Sequence, residues 1–72
     1  MEAMSAVDRA EARHRIGHYV HVFLTPRGQE AMADYSEMVG ILRGVNADWI
    51  RLETDYRVEA LRTSWVSAIE AG

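Results

Sequence analysis

Cysteine is absent from this 72-residue chain, so neither disulfides nor a cysteine-ligated zinc ion can hold the fold together. Roughly 1.5 kcal/mol of conformational entropy per residue opposes folding, and one small core offsets it with difficulty. A compact core, supplemented by assembly with further subunits, is therefore the expected means of stabilisation. The hydrophobic fraction of 49% is typical of a globular chain and argues against disorder.

Lysine is absent as well. All eight cationic side chains are arginine, and they stand against eleven acidic residues, which leaves a net charge of −3. A generally basic nucleic-acid-binding surface is therefore not expected, and no DNA partner is predicted. Arginine nevertheless presents a planar fork that suits phosphate and carboxylate groups.

Long apolar runs are also missing. No stretch approaches the roughly 18 apolar residues that a membrane span needs, and no signal-peptide pattern opens the chain. We therefore expect a soluble cytoplasmic protein with one domain, residues 1–72, and no membrane partner.

The N-terminal segment, residues 1–16, has the composition of a helix. Ser5 and Asp8 stand at the spacing of a capping box, in which each side chain binds a free backbone amide of the other residue. The expected apolar face is thin, so the helix should lie on the rest of the fold. That face consists of Met4, Val7 and Ala10, and it can extend to His14.

Residues 17–71 show the pattern of short strands instead. Residues 18–25 alternate, with Val20, Val22 and Leu24 on one face. Residues 25–28 predict a turn, and about 29–38 predict an inserted loop or short helix. Further strands are predicted over residues 38–46, 49–54, 57–62 and 65–70.

Glycines within the predicted strand 38–46 indicate curvature. Gly40 and Gly44 are expected on the face of Leu42, and glycine inside a strand marks a bend or a close approach of backbones. The predicted fold class is mostly β, with an N-terminal α-helix followed by a strongly bent, five-stranded antiparallel open barrel.

Three stretches carry a resemblance to a known family. They are Val20-x-Val22-x-Leu24 with Gly28, Gly40-Ile-Leu42-x-x-Val45-Asn46-x-x-x-Ile50-x-Leu52, and Leu61-Arg62-Thr63-Ser64-Trp65-Val66-x-x-Ile69. Together with the order of elements, they resemble the Sm-like family, including its bacterial Hfq branch, over about residues 16–70. The resemblance implies an Sm-like barrel that forms a homo-oligomeric ring and binds single-stranded RNA, in RNA metabolism or riboregulation.

The chain departs from the family pattern at four places, one of which is Asn46 at the usual acidic turn position. About seven extra residues lie between Gly28 and Gly40, and Thr63 stands where glycine is common. Asp48 occupies the position where many relatives carry a base-stacking aromatic, and Trp49 follows it.

The resemblance implies that the turn at residues 46–49 and the turn at 62–65 meet near the pore of the ring. An aromatic face would stack a base there, an amide or hydroxyl would read its edge, and arginine would meet phosphate. The candidate RNA-binding residues are Asn46, Asp48, Trp49, Arg62 and Ser64. In the structural alternative, the two tryptophans are core or subunit contacts and Asn46 only makes its turn.

Ring closure would pair the two edge strands of an open barrel with those of neighbouring copies. The expected partner is the chain itself, as a cyclic homo-oligomer of about five to seven subunits. The candidate interface residues are Val58, Ala60, Leu61, Trp65, Val66 and Ile69. A rival hypothesis is a structural or protein-interaction ring without RNA binding, which the acidic net charge favours. A weaker third is a barrel subunit of a larger assembly.

No catalytic residue, cofactor or metal site is predicted, and an enzyme is not expected. The serines lack a histidine and acid context, and no phosphate-cradling glycine loop is present. Gly17 interrupts the helical register between His14 and His18, and His21 shares a face with aromatic residues. Packing or an interface is therefore the expected role of His21.

The insertion carries Met32, Tyr35 and Met38 near an acidic surface. These side chains either cap the barrel or form a patch for protein contact, and the sequence leaves both open.

Overall fold

The computed structural model describes residues 2–72, so the first residue of the predicted helix 1–16 lies outside them. The elements are α1 (Ala6–Arg13), β1 (Tyr19–Leu24), α2 (Pro26–Ala31), β2 (Glu37–Val45), β3 (Trp49–Glu53), β4 (Val58–Arg62), a 3-10 turn (Thr63–Trp65) and β5 (Val66–Ala71). The predicted fold class, mostly β with an N-terminal helix and a bent five-stranded antiparallel sheet, is confirmed.

The predicted capping box opens α1. The Asp8 amide donates to Ser5 Oγ, and the Ser5 amide donates to the Asp8 carboxylate, both at 3.1 Å. The helix is shorter than predicted, because turns carry residues 14–17 to Gly17 at a φ of +91°. Its buried face differs as well. Met4 and Ala12 are buried, whereas Val7 is 68% exposed.

The sheet has the strand order β4-β3-β2-β1-β5, and every neighbouring pair is antiparallel. β4 and β5 are its two edges and do not pair with each other, so the sheet is not closed. Eight side chains from all five strands are fully buried, and each contributes about 1.5–3 kcal/mol. They are Val20, Val22, Leu24, Leu42, Ile50, Leu52, Leu61 and Val66.

Gly40 permits a close approach of β2 to β3. A Cβ built there would lie 2.3 Å from the carbonyl oxygen of Glu53. A bulge then interrupts the pairing, so that Leu42 lies opposite Leu52 but Gly44 lies opposite Arg51. The extra residue reverses the alternation. The prediction that Gly44 shares the face of Leu42 is therefore wrong.

Residues 25–28, predicted as a turn, begin α2 instead. Thr25 is the N-cap, since its Oγ1 accepts the Gly28 amide at 3.1 Å. Pro26 occupies the first helical position, where a missing N–H costs nothing and its fixed φ suits the helix. The short-helix alternative for the insertion is thus correct, with an earlier start. No helix within residues 2–72 is long and apolar enough to cross a membrane.

Candidate nucleic-acid interface

Two connections converge at one end of the sheet, the β2–β3 turn and the 3-10 turn after β4. The Thr63 amide donates to the carbonyl of Asp48, and the Thr63 hydroxyl donates to the carbonyl of Ala47, both at 2.9 Å. Thr63 thereby fastens the two turns to each other.

Trp49 and Arg62 face each other across β3 and β4 beside this junction. They are direct cross-strand partners, and the guanidinium carbon of Arg62 lies 4.8 Å from the centre of the Trp49 ring. Such a cation–π contact is worth about 0.5–1 kcal/mol at an exposed site. Trp49 remains 38% exposed, so part of the indole is still open to a ligand.

Asn46 holds the β2–β3 turn with its side chain. Its Oδ1 accepts the amides of Asp48, at 2.9 Å, and Trp49, at 2.7 Å. This Asx turn confirms the predicted turn, and it commits the amide oxygen to the backbone. Only the Nδ2 donor of Asn46 is left to meet a ligand. Asp48 is exposed and adds a carboxylate at the same place.

Ser64 is also exposed, but its backbone is tied elsewhere. Its carbonyl accepts the Thr25 hydroxyl at 3.2 Å, on the side of α2. The structure thus brings Asn46, Asp48, Trp49 and Arg62 into one cluster, and Ser64 lies at its margin.

Two arginines near this cluster escaped the sequence-based prediction. Arg51 is exposed on the same face of β3 as Trp49, two residues along the strand. Strand alternation alone could have identified it. Arg13 of α1 donates from Nε to the carbonyl of Val45 at 3.1 Å, next to the β2–β3 turn. Because this contact spans 32 positions, no local pattern indicates it.

The cluster can offer an indole face and guanidinium groups to a ligand. Within residues 2–72, neither Arg51 nor Arg62 is in a salt bridge. Stacking on the indole and charge-assisted bonds from guanidinium to phosphate are therefore both open. Asp48 opposes an anionic ligand.

The interface candidates divide into exposed and buried residues. Val58 and Ala60 are exposed on β4. Leu61 and Val66 are fully buried inside the chain, so their side chains belong to the core and cannot contact a neighbouring subunit. Trp65 and Ile69 are half-buried against the same core.

The outer edge of β4 has free backbone groups. The Thr54 amide donates to the carbonyl of Arg57, and the Thr63 amide donates to the carbonyl of Asp48. These two bonds show which residues of β4 form hydrogen-bonded pairs with β3. Since bonded and non-bonded pairs alternate in an antiparallel ladder, every second residue of β4 turns its N–H and C=O away from β3. These residues are Val58, Ala60 and Arg62.

The edge at β5 is partly covered. The Gly72 amide donates to Tyr19 at 3.0 Å, so the same alternation turns the backbone groups of Ile69 and Ala71 outward. At the other end of the strand, the Met4 amide donates to the carbonyl of Val66 at 3.0 Å.

His21 lies on β1, two strands away from β3 in the sheet. His21 Nδ1 is 3.5 Å from a carboxylate oxygen of Glu37, and its ring stacks on Phe23 with centroids 6.2 Å apart. The part of the chain that the structure describes contains no group of three histidine, aspartate or glutamate side chains placed to hold a metal ion.

The insertion splits between the two predicted roles. Met32 and Met38 pack against the core, whereas Tyr35 is 64% exposed.

No family model, curated protein or solved structure matches this chain.

Proposed function

We propose that this chain is an Sm-like, ring-forming subunit that binds single-stranded RNA at the junction of the β2–β3 turn and the β4–β5 connection. One observation carries the proposal, namely the stacked Trp49–Arg62 pair on the outer face of β3 and β4. Thr63 holds that pair beside the turn. Apart from α2, the order of elements is the one that the resemblance to the Sm-like family implies.

Single-stranded RNA suits this site because its bases are free to stack. A base meets the open part of the Trp49 indole, and Arg51 and Arg62 meet the flanking phosphates. The Asn46 Nδ2 group donates to a base edge, since its oxygen is committed to the turn. Asp48 weakens the attraction for phosphate, so binding is expected to be modest, and it should weaken further as salt is added.

The open sheet supports the proposed ring. Val58, Ala60 and Arg62 of β4 offer backbone donors and acceptors, and so do Ile69 and Ala71 of β5. Pairing β4 of one copy with β5 of the next satisfies both edges and leaves none in a closed ring.

The alternative is a structural or protein-interaction ring without RNA binding. It is favoured by the net charge of −3 and by the Asp48 carboxylate beside Trp49. In that case the Trp49–Arg62 contact serves only to stabilise the β3–β4 hairpin.

The decisive experiment is binding of labelled U-rich and A-rich oligoribonucleotides at low salt. Trp49→Ala removes the stacking face and is expected to cost about 1–3 kcal/mol, roughly 5- to 150-fold in affinity. Arg62→Ala is expected to weaken binding and to reduce its salt dependence. Tyr56→Ala is the matched control, because Tyr56 is an aromatic residue with 94% exposure in the β3–β4 connection, at the opposite end of the hairpin from the cluster.

If the unmodified protein binds neither oligonucleotide at low salt, the RNA hypothesis is wrong. Equal losses in Trp49→Ala and Tyr56→Ala would also contradict the assigned site.

A further inference from the structure

A second surface feature lies at the opposite end of the β3–β4 hairpin. It is a groove of about 580 Å³ between the start of β2 and that hairpin, here called the Tyr35–Tyr56 groove. Its two tyrosines are 64% and 94% exposed. The groove is lined by Tyr35, Glu37, Met38, Val39, Thr54, Tyr56, Arg57 and Glu59.

The groove exists because β2 extends beyond its partner β3. β2 spans Glu37–Val45, but its pairing with β3 begins only at Ile41, opposite Glu53. Before Ile41, β2 pairs only with β1. The side of β2 that would continue the ladder with β3 therefore opens into the groove.

The hydrogen-bond phase shows which backbone groups line this opening. The Leu42 amide donates to His18, and the Leu24 amide donates to Ser36, both at 3.0 Å. These bonds turn residues 36, 38, 40 and 42 toward β1. The N–H and C=O groups of Glu37 and Val39 must then point toward the groove, and no other backbone hydrogen bond reaches them within residues 2–72.

We infer that the Tyr35–Tyr56 groove is a strand-addition site for an extended, basic peptide segment of another protein. Such a segment continues the sheet where β3 stops, and the free groups of Glu37 and Val39 supply the main-chain bonds. The exposed rings of Tyr35 and Tyr56 contact its alternate side chains.

The charge of the groove selects a basic segment. Glu37 and Glu59 line it, and Asp34 and Asp55 adjoin lining residues in the chain. The cation in the lining is Arg57, which is paired with Glu59. Glu37 lies 3.5 Å from His21 Nδ1, which is outside the lining. Arginine or lysine side chains on the added strand complement this surplus of carboxylates, and acidic ones are repelled.

This site is independent of the proposed RNA-binding function. The RNA cluster lies at the Trp49 end of β3, whereas the groove lies beyond its Glu53 end. Strand addition at β2 also uses neither outer edge of the sheet. Loss of RNA binding and loss of peptide binding are therefore separable results.

The test uses synthetic peptides of about eight residues, a length typical of strands. One alternates valine with lysine, and a second alternates valine with glutamate. We expect the lysine peptide to bind at least about tenfold more tightly. On its addition, the amides of Glu37 and Val39 should become protected from hydrogen exchange in NMR spectra. N-methylation of every second peptide amide should abolish binding when those amides face β2, and it should spare binding when they point away from β2.

Two variants of the chain locate the site. Tyr56→Ala removes a fully accessible ring and should weaken the lysine peptide about tenfold, whereas Tyr19→Ala, an exposed aromatic outside the groove, should not. Val39→Pro removes the Val39 N–H, which no strand of the chain uses, and should therefore weaken binding of the lysine peptide. Circular dichroism checks that this variant folds. If Val39→Pro does not fold, Tyr56→Ala still decides.

Three results would overturn the inference. The first is that neither peptide binds, and the second is that N-methylation leaves binding unchanged at both sets of alternate positions. The third is concentration-dependent protection of the Val39 amide in the free protein. The last result would mean that a second copy of the chain occupies the groove.

Discussion

Gly28 faces the backbone of Trp65 so closely that no larger residue fits without a shift. A Cβ placed on Gly28 would lie 2.2 Å from the Trp65 carbonyl oxygen and 2.9 Å from the Trp65 Cβ. The same carbonyl accepts the Thr25 amide at 2.8 Å. This single residue therefore sets how closely α2 can pack on the 3-10 turn that precedes β5.

Gly28→Ala is expected to destabilise the chain by about 1–3 kcal/mol, because α2 or the 3-10 turn must move away. Gly44→Ala is the matched control, since nothing lies within 4 Å of its added Cβ. Gly44→Ala should leave the free energy of unfolding unchanged or raise it by up to about 1 kcal/mol, because alanine loses less conformational entropy on folding. Urea unfolding curves of both variants check this, and equal midpoints would contradict the close packing of Gly28 on Trp65.

Asn46 offers a second test at the residue scale. Asn46→Ala removes the acceptor of two turn amides and should cost about 1 kcal/mol of stability. Asn46→Asp keeps an oxygen in the same place and should be close to neutral. Thermal unfolding distinguishes the two, and an equally large loss in Asn46→Asp would show that the Asx turn is not what stabilises this connection.

The residue-level predictions differ in how well the sequence supported them. The turn role of Asn46 follows from its own chemistry, because its side chain is short enough to bond amides two and three positions on. The contact of Arg13 with Val45 does not follow from local chemistry, since it depends on where α1 lies over the sheet. The burial of Leu61 and Val66 was missed for a similar reason, because edge strands still contribute one face to the core.

At the scale of elements, α1 depends on its first turn and on two buried side chains. The helix has eight residues, and an isolated helix of that length is unstable in water. The Ser5–Asp8 capping box and the burial of Met4 and Ala12 therefore supply what propensity alone cannot.

Ser5→Ala is expected to destabilise the chain by about 1 kcal/mol, because the Asp8 amide loses its acceptor. Ser5→Thr keeps a hydroxyl at this position and should retain most of the stability. Far-UV circular dichroism during urea unfolding measures both. A neutral Ser5→Ala would mean that packing alone fixes the start of α1.

The elements themselves were predictable where side-chain pattern decides them. β1 alternates strictly, and Val20, Val22 and Leu24 are buried as expected. The bulge between Leu42 and Gly44 was not predictable, because it is a feature of the pairing of β2 with β3. Residues 25–28 suit either a turn or a helix start, and the packing of α2 on the 3-10 turn decides for the helix.

At the scale of the whole molecule, the open sheet is the dominant feature. β4 and β5 each carry outward backbone groups, and unpaired edges favour association between copies. The proposed ring and the proposed strand-addition site both follow from backbone that this chain does not pair by itself.

Ala60→Pro tests the ring at this scale. The Ala60 N–H points away from β3, so proline removes a donor for a neighbouring copy without breaking a bond within the chain. Gel filtration with light scattering at micromolar concentration should give several subunits for the unmodified protein and a monomer for Ala60→Pro.

Ala60→Thr keeps the N–H and serves as the control, so it should assemble as the unmodified protein does. A clean monomer for the unmodified protein would refute the ring. Unchanged assembly of a folded Ala60→Pro would exclude β4 as its contact.

The sequence alone determined the β-rich class, the N-terminal capping box and the aliphatic core of the strands, because these depend on local chemistry and on a two-residue period. Tertiary structure alone decided the strand order, the reversal of facing at Gly44 and the meeting of Thr63 with the β2–β3 turn. It also decided which backbone groups remain free at Val39 and Ala60. These features depend on hydrogen bonds between residues far apart in the chain, whose register no local pattern encodes.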